Sequence, residues 1–561
     1  MAWRTGSTVT AGVLAALVLA GCGEPGLTGG GTGGTTSGTG GQDPGLGGGG
    51  TDGGPELPPP DFATRVARLT HAQYQHTIED LFGIDDEVAQ GFVPDALNGF
   101  AFDSSINLVV DSRLAEQYRT AAETLSVRVV GDDAVLSNIV PCDALEADCP
   151  ETFLTEFGLR AFRRPLSPAE VERFGVLFDA GAELVASGDA FKDGVQITIE
   201  AMLQSPDFLY REELGTATNE NGRVLLSGHE LASRLSYFLY DSMPDDELLR
   251  AAGAGELSDP AQVRAQVERL LSDAGTLARV VEFHEQAFDF ERYGRISVDT
   301  DTFPSAPEDL QSRALSASRL FLEDVIQNGG GLGELLTAPY AYADSELAPL
   351  YGAEVAGDFE RIDFDPTERV GLLSQVGFLA SHAYAKKTDP IHRGLFVVRD
   401  LLCQTIPDPP PGASQTPPPA DAPVPKTTRE EVEILTGQAG CINCHQVINP
   451  PGFAFEAFDA AGGVRTDEDG NAVDTTGTLE IDGAEVAFST ASELMEAVAS
   501  SDAAHTCYLG KWAEFAQGRQ LSAEELTWTS EVPSPIGILE LLPLIATDES
   551  FMTRPASEVS P

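Results

Sequence analysis

The chain has 561 residues and a formal net charge of −54 at pH 7, with 88 acidic and 34 basic side chains. A surface this acidic repels polyanions, which excludes DNA or RNA as a partner, although it could attract a basic redox protein over long range. A chain of this length exceeds one hydrophobic core and is expected to divide into several domains.

The first 22 residues have the pattern of an export signal. Arg4 precedes an apolar run over residues 11–20 that is too short to remain as a transmembrane helix. The run ends in Leu-Ala-Gly before Cys22 and resembles the lipobox of bacterial lipoproteins, whose cysteine is acylated. Because Gly23 follows rather than Asp, we predict an outer-membrane lipoprotein anchored through Cys22, facing the periplasm or the cell surface. The alternative is a plain secreted protein with a stray cysteine.

Residues 23–60 are mainly Gly, Thr and Pro and cannot bury a core, so we predict a tether. The sequence after the tether predicts mainly helices. Short strands or a hairpin are predicted only at residues 361–364 and 477–486. Capping boxes begin three predicted helices with apolar stripes: Thr70 with Gln73, Ser167 with Glu170, and Ser227 with Glu230. The predicted fold class is mainly α, a multi-domain helical body with a C-terminal cytochrome-c-like haem region and few short strands.

A proline-rich stretch over residues 407–425, which predicts a stiff connector, precedes the attachment signature of a c-type haem. In this signature the thiols of Cys441 and Cys444 can each bond a haem vinyl group, while His445 ligates the iron. The export signal supports this interpretation, because bacteria complete the attachment outside the cytoplasm. We therefore predict one covalent haem c. A Cys-x-x-Cys redox pair lacks a βαβ context here, and a zinc site lacks nearby ligands.

The second axial ligand of the iron decides the chemistry. An iron bound by Met or His transfers electrons, whereas an open site can activate peroxide or oxygen. Met495 is the candidate ligand, ahead of His505 and His392. A Met among apolar neighbours is also common core filling, so a weak or absent protein ligand stays open.

Three arginines stand out in so acidic a chain. Arg163, Arg164 and Arg393 could neutralise haem propionates, since a guanidinium matches a carboxylate with two hydrogen bonds. Buried arginine–carboxylate pairs between helices are the alternative.

Four further cysteines predict two disulfides. Cys142 and Cys149 are close enough in sequence for a local bond, which leaves Cys403 and Cys507. Free thiols are disfavoured in an oxidising compartment, so we expect the latter two to join the segment before the haem motif to the C-terminal segment. Four cysteines permit three pairings, and the sequence does not exclude the others.

A series of motifs follows the tether. They are Arg68–Thr70 with Asp80–Gly83 and Gly99–Phe100, Arg160–Leu166, Leu203–Pro206 with Leu231–Leu239 and Leu347–Gly352, Thr388–Gly394 with Cys441–His445 and Pro451–Asp459, and Cys507–Arg519. In this order they resemble the modules of a multi-domain family of secreted proteins, the planctomycete cytochrome-c-associated domains of unknown function, in a lipoprotein member of the myxobacterial type. The resemblance implies a surface or periplasmic haem protein without an assigned activity. Where the fourth module often carries Asp-Pro, this chain has Asn449-Pro450, which removes a carboxylate near the haem.

The predicted domains follow from these signals. They are a lipoprotein signal peptide (1–22), the tether (23–60), a first helical module (61–135), a second (138–212), a third (213–355), a haem c module with the connector (366–475) and a C-terminal module (476–545).

Three functions remain open at the level of sequence. The first is an oxidoreductase, or its electron-accepting component, acting on an extracellular substrate. The second is a simple outer-membrane electron-transfer cytochrome with a redox partner protein, and the third is a structural or adhesive lipoprotein. The large helical body favours the first, although no acid–base pair or nucleophile has a convincing spacing.

Overall fold

The computed structural model describes residues 65–95, 101–407, 409 and 417–556. The predicted export signal, Cys22 and the tether lie outside the described residues. Helices dominate the described chain, so the predicted mainly α class is confirmed. Within these residues, no helix has the length and apolar character needed to cross a membrane.

The N-terminal body contains the helices of the first two predicted modules. They are α1 (His71–Phe82), α2 (Ser112–Gly131), α3 (Asp133–Ile139), α4 (Cys149–Phe162), α5 (Pro168–Leu184), α6 (Ala190–Leu203) and α7 (Pro206–Leu209). The predicted capping boxes of Thr70 and Ser167 are present at α1 and α5, where each side chain accepts a hydrogen bond from the third helical N–H.

The rest of the described chain is a larger helical assembly. Its helices are α8 (Gly228–Leu239), α9 (Asp246–Gly253), α10 (Pro260–Leu270), α11 (Ala274–Ala287), α12 (Leu310–Gln327), α13 (Leu332–Thr337), α14 (Val376–Ser381), α15 (Pro390–Leu395), α16 (Thr428–Thr436), α17 (Ile442–Phe453), α18 (Ala491–Ala499), α19 (Asp502–Gln517), α20 (Ile538–Thr547) and α21 (Glu549–Met552). The predicted capping box of Ser227 begins α8. Short 3₁₀ turns lie at Phe290–Arg295, Ala348–Tyr351, Leu372–Ser374, Ala454–Ala457 and Thr527–Glu531, and a π-helical turn lies at Phe396–Leu401.

Strands are short and antiparallel. They are β1 (Arg65–Arg68), β2 (Tyr210–Glu213), β3 (Ala217–Thr218), β4 (Arg223–Leu225), β5 (Tyr340–Ala343), β6 (Glu360–Asp363), β7 (Asp467–Glu468), β8 (Asn471–Ala472), β9 (Gly477–Ile481), β10 (Ala484–Phe488) and β11 (Thr553–Pro555). The hairpin predicted over residues 477–486 is confirmed as β9–β10, and the strand predicted over residues 361–364 is confirmed as β6, which pairs with β5. β1 pairs with β2, and β11 returns from the C-terminus to pair with β4.

Two hydrophobic cores organise the described chain. The N-terminal core is built around Tyr74, Tyr118 and Phe153. The C-terminal core runs from α8 to α21 and includes side chains such as Phe283 and Trp512. Residues of the third, fourth and C-terminal predicted modules therefore share one core, and Val447 of α17, the helix that carries the Cys-x-x-Cys-His motif, packs against it.

Two glycines fix the position of that helix. A Cβ on Gly394 of α15 would lie 1.9 Å from the carbonyl oxygen of Ile448, and a Cβ on Gly452 of α17 would lie 1.8 Å from that of Pro390. Only glycine allows two backbones to approach so closely. Helices α15 and α17 therefore pack backbone against backbone, which anchors the haem motif to the C-terminal core.

Both disulfides preferred from the sequence are present in the structure. Cys142 is bonded to Cys149 at the start of α4. Cys403, just after the π-helical turn, is bonded to Cys507 of α19. The second bond joins the segment before the proline-rich connector to the C-terminal helices.

Candidate haem-attachment site

The residues of the predicted haem motif lie together at the start of α17. Cys441 is the N-cap residue, and its carbonyl accepts hydrogen bonds from the N–H groups of Cys444 and His445 at 3.3 and 3.2 Å. Helical spacings of three and four residues place these side chains on one face. Both thiols are free and partly exposed. This arrangement places two free thiols and one imidazole at the start of the same helix.

The imidazole of His445 is oriented by a neighbouring amide. Its Nδ1 lies 2.9 Å from Oδ1 of Asn449, one helical turn further along α17. Among the described residues, Nε2 forms no hydrogen bond. A ring that donates through Nδ1 presents the lone pair of Nε2, as a metal-ligating histidine requires.

A cleft of about 620 Å³ adjoins this imidazole and is called the His445 cleft. Its walls include the apolar side chains of Ile442, Pro450, Phe453 and Phe488. Arg429 also lines it, with the guanidinium 4.6 Å from the ring centre of Phe453. The volume is within the usual range of cofactor pockets. The apolar side chains and the imidazole could border a flat aromatic ring system such as haem. Glu433 and several polar side chains also line the cleft, Arg429 pairs with Glu433 at 3.0 Å, and neither Cys441 nor Cys444 is part of the lining.

The zinc alternative finds no partners in the described part of the chain. No group of three or more His, Cys, Asp or Glu side chains able to hold a metal occurs there. Cys507, one of the residues that a zinc site would need, is already bonded to Cys403. A closed structural zinc site takes four protein ligands, one more than the two cysteines and one histidine that the motif contains.

The structure places the candidate sixth ligands away from this cleft. Met495 of α18 is fully buried in the C-terminal core. His392 is hydrogen-bonded through Nδ1 to Asp389 at 2.5 Å, and His505 lies on α19. None of the three lines the His445 cleft, so the structure does not bring a sixth ligand from this set together with His445.

The three conspicuous arginines have structural partners. Arg163 is buried and donates to the carbonyls of Asp207 and Tyr210 at 2.7 and 2.8 Å. Arg393 is fully buried and donates to the carbonyl of Leu379 at 2.9 Å. Arg164 pairs with Glu170 and Asp207, the former at 3.0 Å. None lines the His445 cleft. Arg164 has carboxylate partners, whereas the hydrogen bonds of Arg163 and Arg393 go to backbone carbonyls.

A second cleft, of about 610 Å³, opens where the N-terminal body meets α8, α9 and α11. It is called the Asp241 cleft. Its acidic lining comprises Glu79, Asp80, Asp241, Asp245, Asp246, Asp273 and Glu282. Nδ1 of His76 lies 3.4 Å from the carboxylate of Asp241, and the hydrogen bond to this carboxylate raises the pKa of His76. Arg279 pairs with the same carboxylate at 3.1 Å.

Sequence reasoning missed the Asp241 cleft. His76 and Asp241 are 165 residues apart and neither belongs to a recognisable spacing pattern. The acidic rim suits a polar or cationic ligand, and the His76–Asp241 pair offers a proton donor and acceptor.

Four family models match successive parts of the chain, each described as a protein of unknown function. They are DUF1587 (PSD3) at residues 67–131, DUF1595 (PSD5) at residues 149–213, DUF1592 (PSD4) at residues 226–353 and DUF1588 (PSCyt3) at residues 369–468. The last range contains the haem motif and Asn449. The chain therefore belongs to the multi-domain family of planctomycete cytochrome-c-associated domains, as its motifs predict. No curated protein and no solved structure matches it.

Proposed function

We propose that this protein is an exported c-type monohaem lipoprotein that acts in redox chemistry, as an oxidoreductase or as its electron-accepting component. The observation that supports the proposal is the placement of Cys441, Cys444 and His445 at the start of α17, where His445 lines a cleft that has both apolar and polar walls. The abbreviation PSCyt3 of the family model that matches residues 369–468 also supports a relation to redox chemistry.

Each residue of the motif has a separate task. The thiols of Cys441 and Cys444 would hold the haem covalently, each as a thioether to one vinyl group. His445 would supply Nε2 as a ligand to the iron, and Phe453 and Phe488, which line the same cleft, would help to exclude water from the bound group. When bound, haem supplies one-electron transfer and, with an open sixth position, the activation of peroxide or oxygen.

The Asp241 cleft favours an oxidoreductase over a simple electron carrier. A carrier needs little more than a haem and a surface for its partner, whereas this chain has a second cleft between its two cores. A polar extracellular substrate could bind there or near the haem edge. The competing functions are a simple outer-membrane electron-transfer cytochrome and a structural or adhesive surface lipoprotein.

Covalent attachment of haem is the first prediction. The full chain, expressed in a host with a cytochrome c maturation system, is expected to keep its haem through denaturing electrophoresis and to show a c-type spectrum when reduced. The double variant Cys441→Ser/Cys444→Ser should lose the haem, because no thioether can form. Cys22→Ser, which removes a thiol far from the motif, serves as the control and should retain it. A colourless wild-type product from a competent host would refute the proposal.

Lipid anchoring is the second prediction. Nothing in the Gly-rich residues 23–60 is apolar enough to hold a bilayer, so Cys22→Ser should move the protein from the membrane fraction to the soluble fraction. The wild type and the double cysteine variant of the haem motif should both stay with the membrane. Equal membrane association of Cys22→Ser and wild type would place the anchor elsewhere.

A further inference from the structure

A polar chain runs through the buried side of the haem motif. Thr436 Oγ1 donates to the carbonyl of Val432 at 2.7 Å, and Asn449 Nδ2 donates to Thr436 Oγ1 at 2.8 Å. Asn449 Oδ1 then faces His445 Nδ1 at 2.9 Å. Thr436 and Asn449 are both buried, at 7% and 5% exposure. The chain links α16 to α17, so the imidazole is oriented by a second helix as well as by its own.

The hydroxyl of Thr436 determines which way the amide of Asn449 points. The Thr436 hydroxyl donates its proton to the carbonyl of Val432, so its oxygen can only accept a hydrogen bond from the amide of Asn449. The amide nitrogen Nδ2 must therefore face the Thr436 oxygen. The carbonyl oxygen of the amide then faces His445, whose Nδ1 must carry the proton. With the opposite amide orientation, Nδ2 would donate to Nδ1, the ring proton would sit on Nε2, and that nitrogen could not bind a metal.

We propose that Asn449, held by Thr436, is a positioning residue that makes Nε2 of His445 the metal-binding nitrogen and sets its strength as an electron donor. This inference rests on the proposed haem attachment. The hydrogen bond at Nδ1 controls how much electron density the imidazole gives to a bound metal. A neutral amide accepts more weakly than a carboxylate, so it stabilises ferric iron less and keeps the reduction potential higher.

Two substitutions at Asn449 test the donor strength in opposite directions. Asn449→Asp has nearly the same size but accepts more strongly and adds a negative charge, so the midpoint potential of the one-electron Fe(III)/Fe(II) couple should fall. Asn449→Ala removes the acceptor, so the potential should rise. We expect each variant to change the one-electron equilibrium constant by about tenfold, which corresponds to about 59 mV.

A pair of substitutions at Thr436 tests the orientation of the amide. Thr436→Val keeps the shape but removes the hydroxyl, so the amide loses its fixed orientation and the potential should move in the same direction as in Asn449→Ala. Thr436→Ser keeps the hydroxyl and should restore the wild-type potential. Thr436→Val and Thr436→Ser test whether the orientation of the Asn449 amide sets the potential, even if Asn449→Asp does not fold.

The measurements are spectroelectrochemical titration of the purified full-length holoprotein and quantification of covalent haem for each variant. All variants should retain haem, because Cys441 and Cys444 are unchanged. If the wild type itself carries no haem, the proposed function fails. If the variants carry haem but share one potential, or if the Asn449 variants shift in the same direction, the assignment of Asn449 is overturned while the haem proposal stands.

Discussion

The thioether of Met495 is enclosed by the C-terminal core, where neighbouring side chains on α18 such as Leu494 and Val498 are equally buried. Sulfur is a usual axial ligand of electron-transfer haems, but a polarisable side chain also fills irregular gaps in cores. Because Met495 does not line the His445 cleft, packing accounts for its position without a metal. On the proposed haem attachment, we therefore expect the sixth position of the iron to have a weak protein ligand or none.

Met495→Ala distinguishes a role of Met495 as a ligand to the iron from a role in core packing. We expect a loss of about 2–5 kcal/mol in the free energy of unfolding, from the cavity that it leaves, with no change in the ferric spectrum of the holoprotein. Cyanide and carbon monoxide should bind readily to the wild type. Leu494→Ala, at an equally buried neighbour on the same helix, is the matched control for stability. A low-spin ferric spectrum that is lost in Met495→Ala but kept in Leu494→Ala would instead identify the sulfur as a ligand and favour simple electron transfer.

Contacts between elements determine where the haem motif sits. The close approach of α15 and α17 depends on Gly394 and Gly452. The buried Glu456 adds a polar contact, because its carboxylate accepts hydrogen bonds from Thr388 at 2.8 Å and from Arg465 at 2.7 Å. Burial raises the pKa of Glu456, although Arg393 and Arg465 oppose the shift. The hydrogen bond between Thr388 and Glu456 therefore joins the segment before α15 to the segment after α17. These two residues belong to the predicted motifs Thr388–Gly394 and Pro451–Asp459.

Gly452→Ala and Gly394→Ala test the backbone contact between α15 and α17. The added methyl group would meet a carbonyl oxygen that cannot move without its helix, so each should cost about 3 kcal/mol, the upper end for overpacking. Gly333→Ala on α13 is the matched control: its Cβ meets no atom within 4 Å, and it should stabilise the protein by about 0.5–1 kcal/mol. The midpoint of urea denaturation measures the change in stability of each of the three variants relative to the wild type. Equal midpoints for Gly452→Ala and the wild type would contradict the close packing.

Local signals carried most of what the sequence could predict. The capping box of Thr70 and the hairpin over residues 477–486 depend on neighbouring residues, so they were predicted correctly. The Asn449–Thr436 contact spans 13 residues and two helices, and the His76–Asp241 pair spans 165. Neither has a sequence pattern, because each depends on how helices pack. The motif therefore identified Cys441, Cys444 and His445 as candidate haem-binding groups, but it gave no signal of the second helix that contacts Asn449.

At the scale of the whole molecule, one buried ionic network joins the N-terminus of the described chain to its C-terminus. Glu213 of β2 pairs with Arg234 of α8 and lies 3.2 Å from Nη1 of Arg65 in β1. Arg234 also donates to the carbonyl of Thr553 at 3.0 Å, and Arg554 donates to the carbonyl of Glu213 at 2.5 Å. The network thus holds β1, β2, α8 and β11 together at the boundary between the two cores.

The charge state of Glu213 should make this network sensitive to acid. Burial alone would raise the pKa of Glu213, but the positive charges of Arg234 and Arg65 outweigh it and lower the pKa to about 2. Burial lowers the pKa of Arg65 to about 9, so this arginine is still charged at neutral pH and the carboxylate stays compensated. A folded-state pKa below the unfolded value stabilises the fold above about pH 4.5, and this stability is lost as the pH falls from there toward 2.

Glu213→Gln tests the network through the pH dependence of stability. At pH 7 the variant should be less stable by about 3–5 kcal/mol, because Arg65 and Arg234 remain buried without a counter-charge. Between pH 4.5 and 2 it should lose less stability than the wild type, since the titrating group is gone. Glu247→Gln is the control, because Glu247 forms an exposed pair with Arg250 that solvent screens, and its unfolding curves should follow the wild type. Denaturation midpoints measured from pH 7 to 2 decide the question, and parallel acid profiles for wild type and Glu213→Gln would show that this carboxylate does not control acid stability.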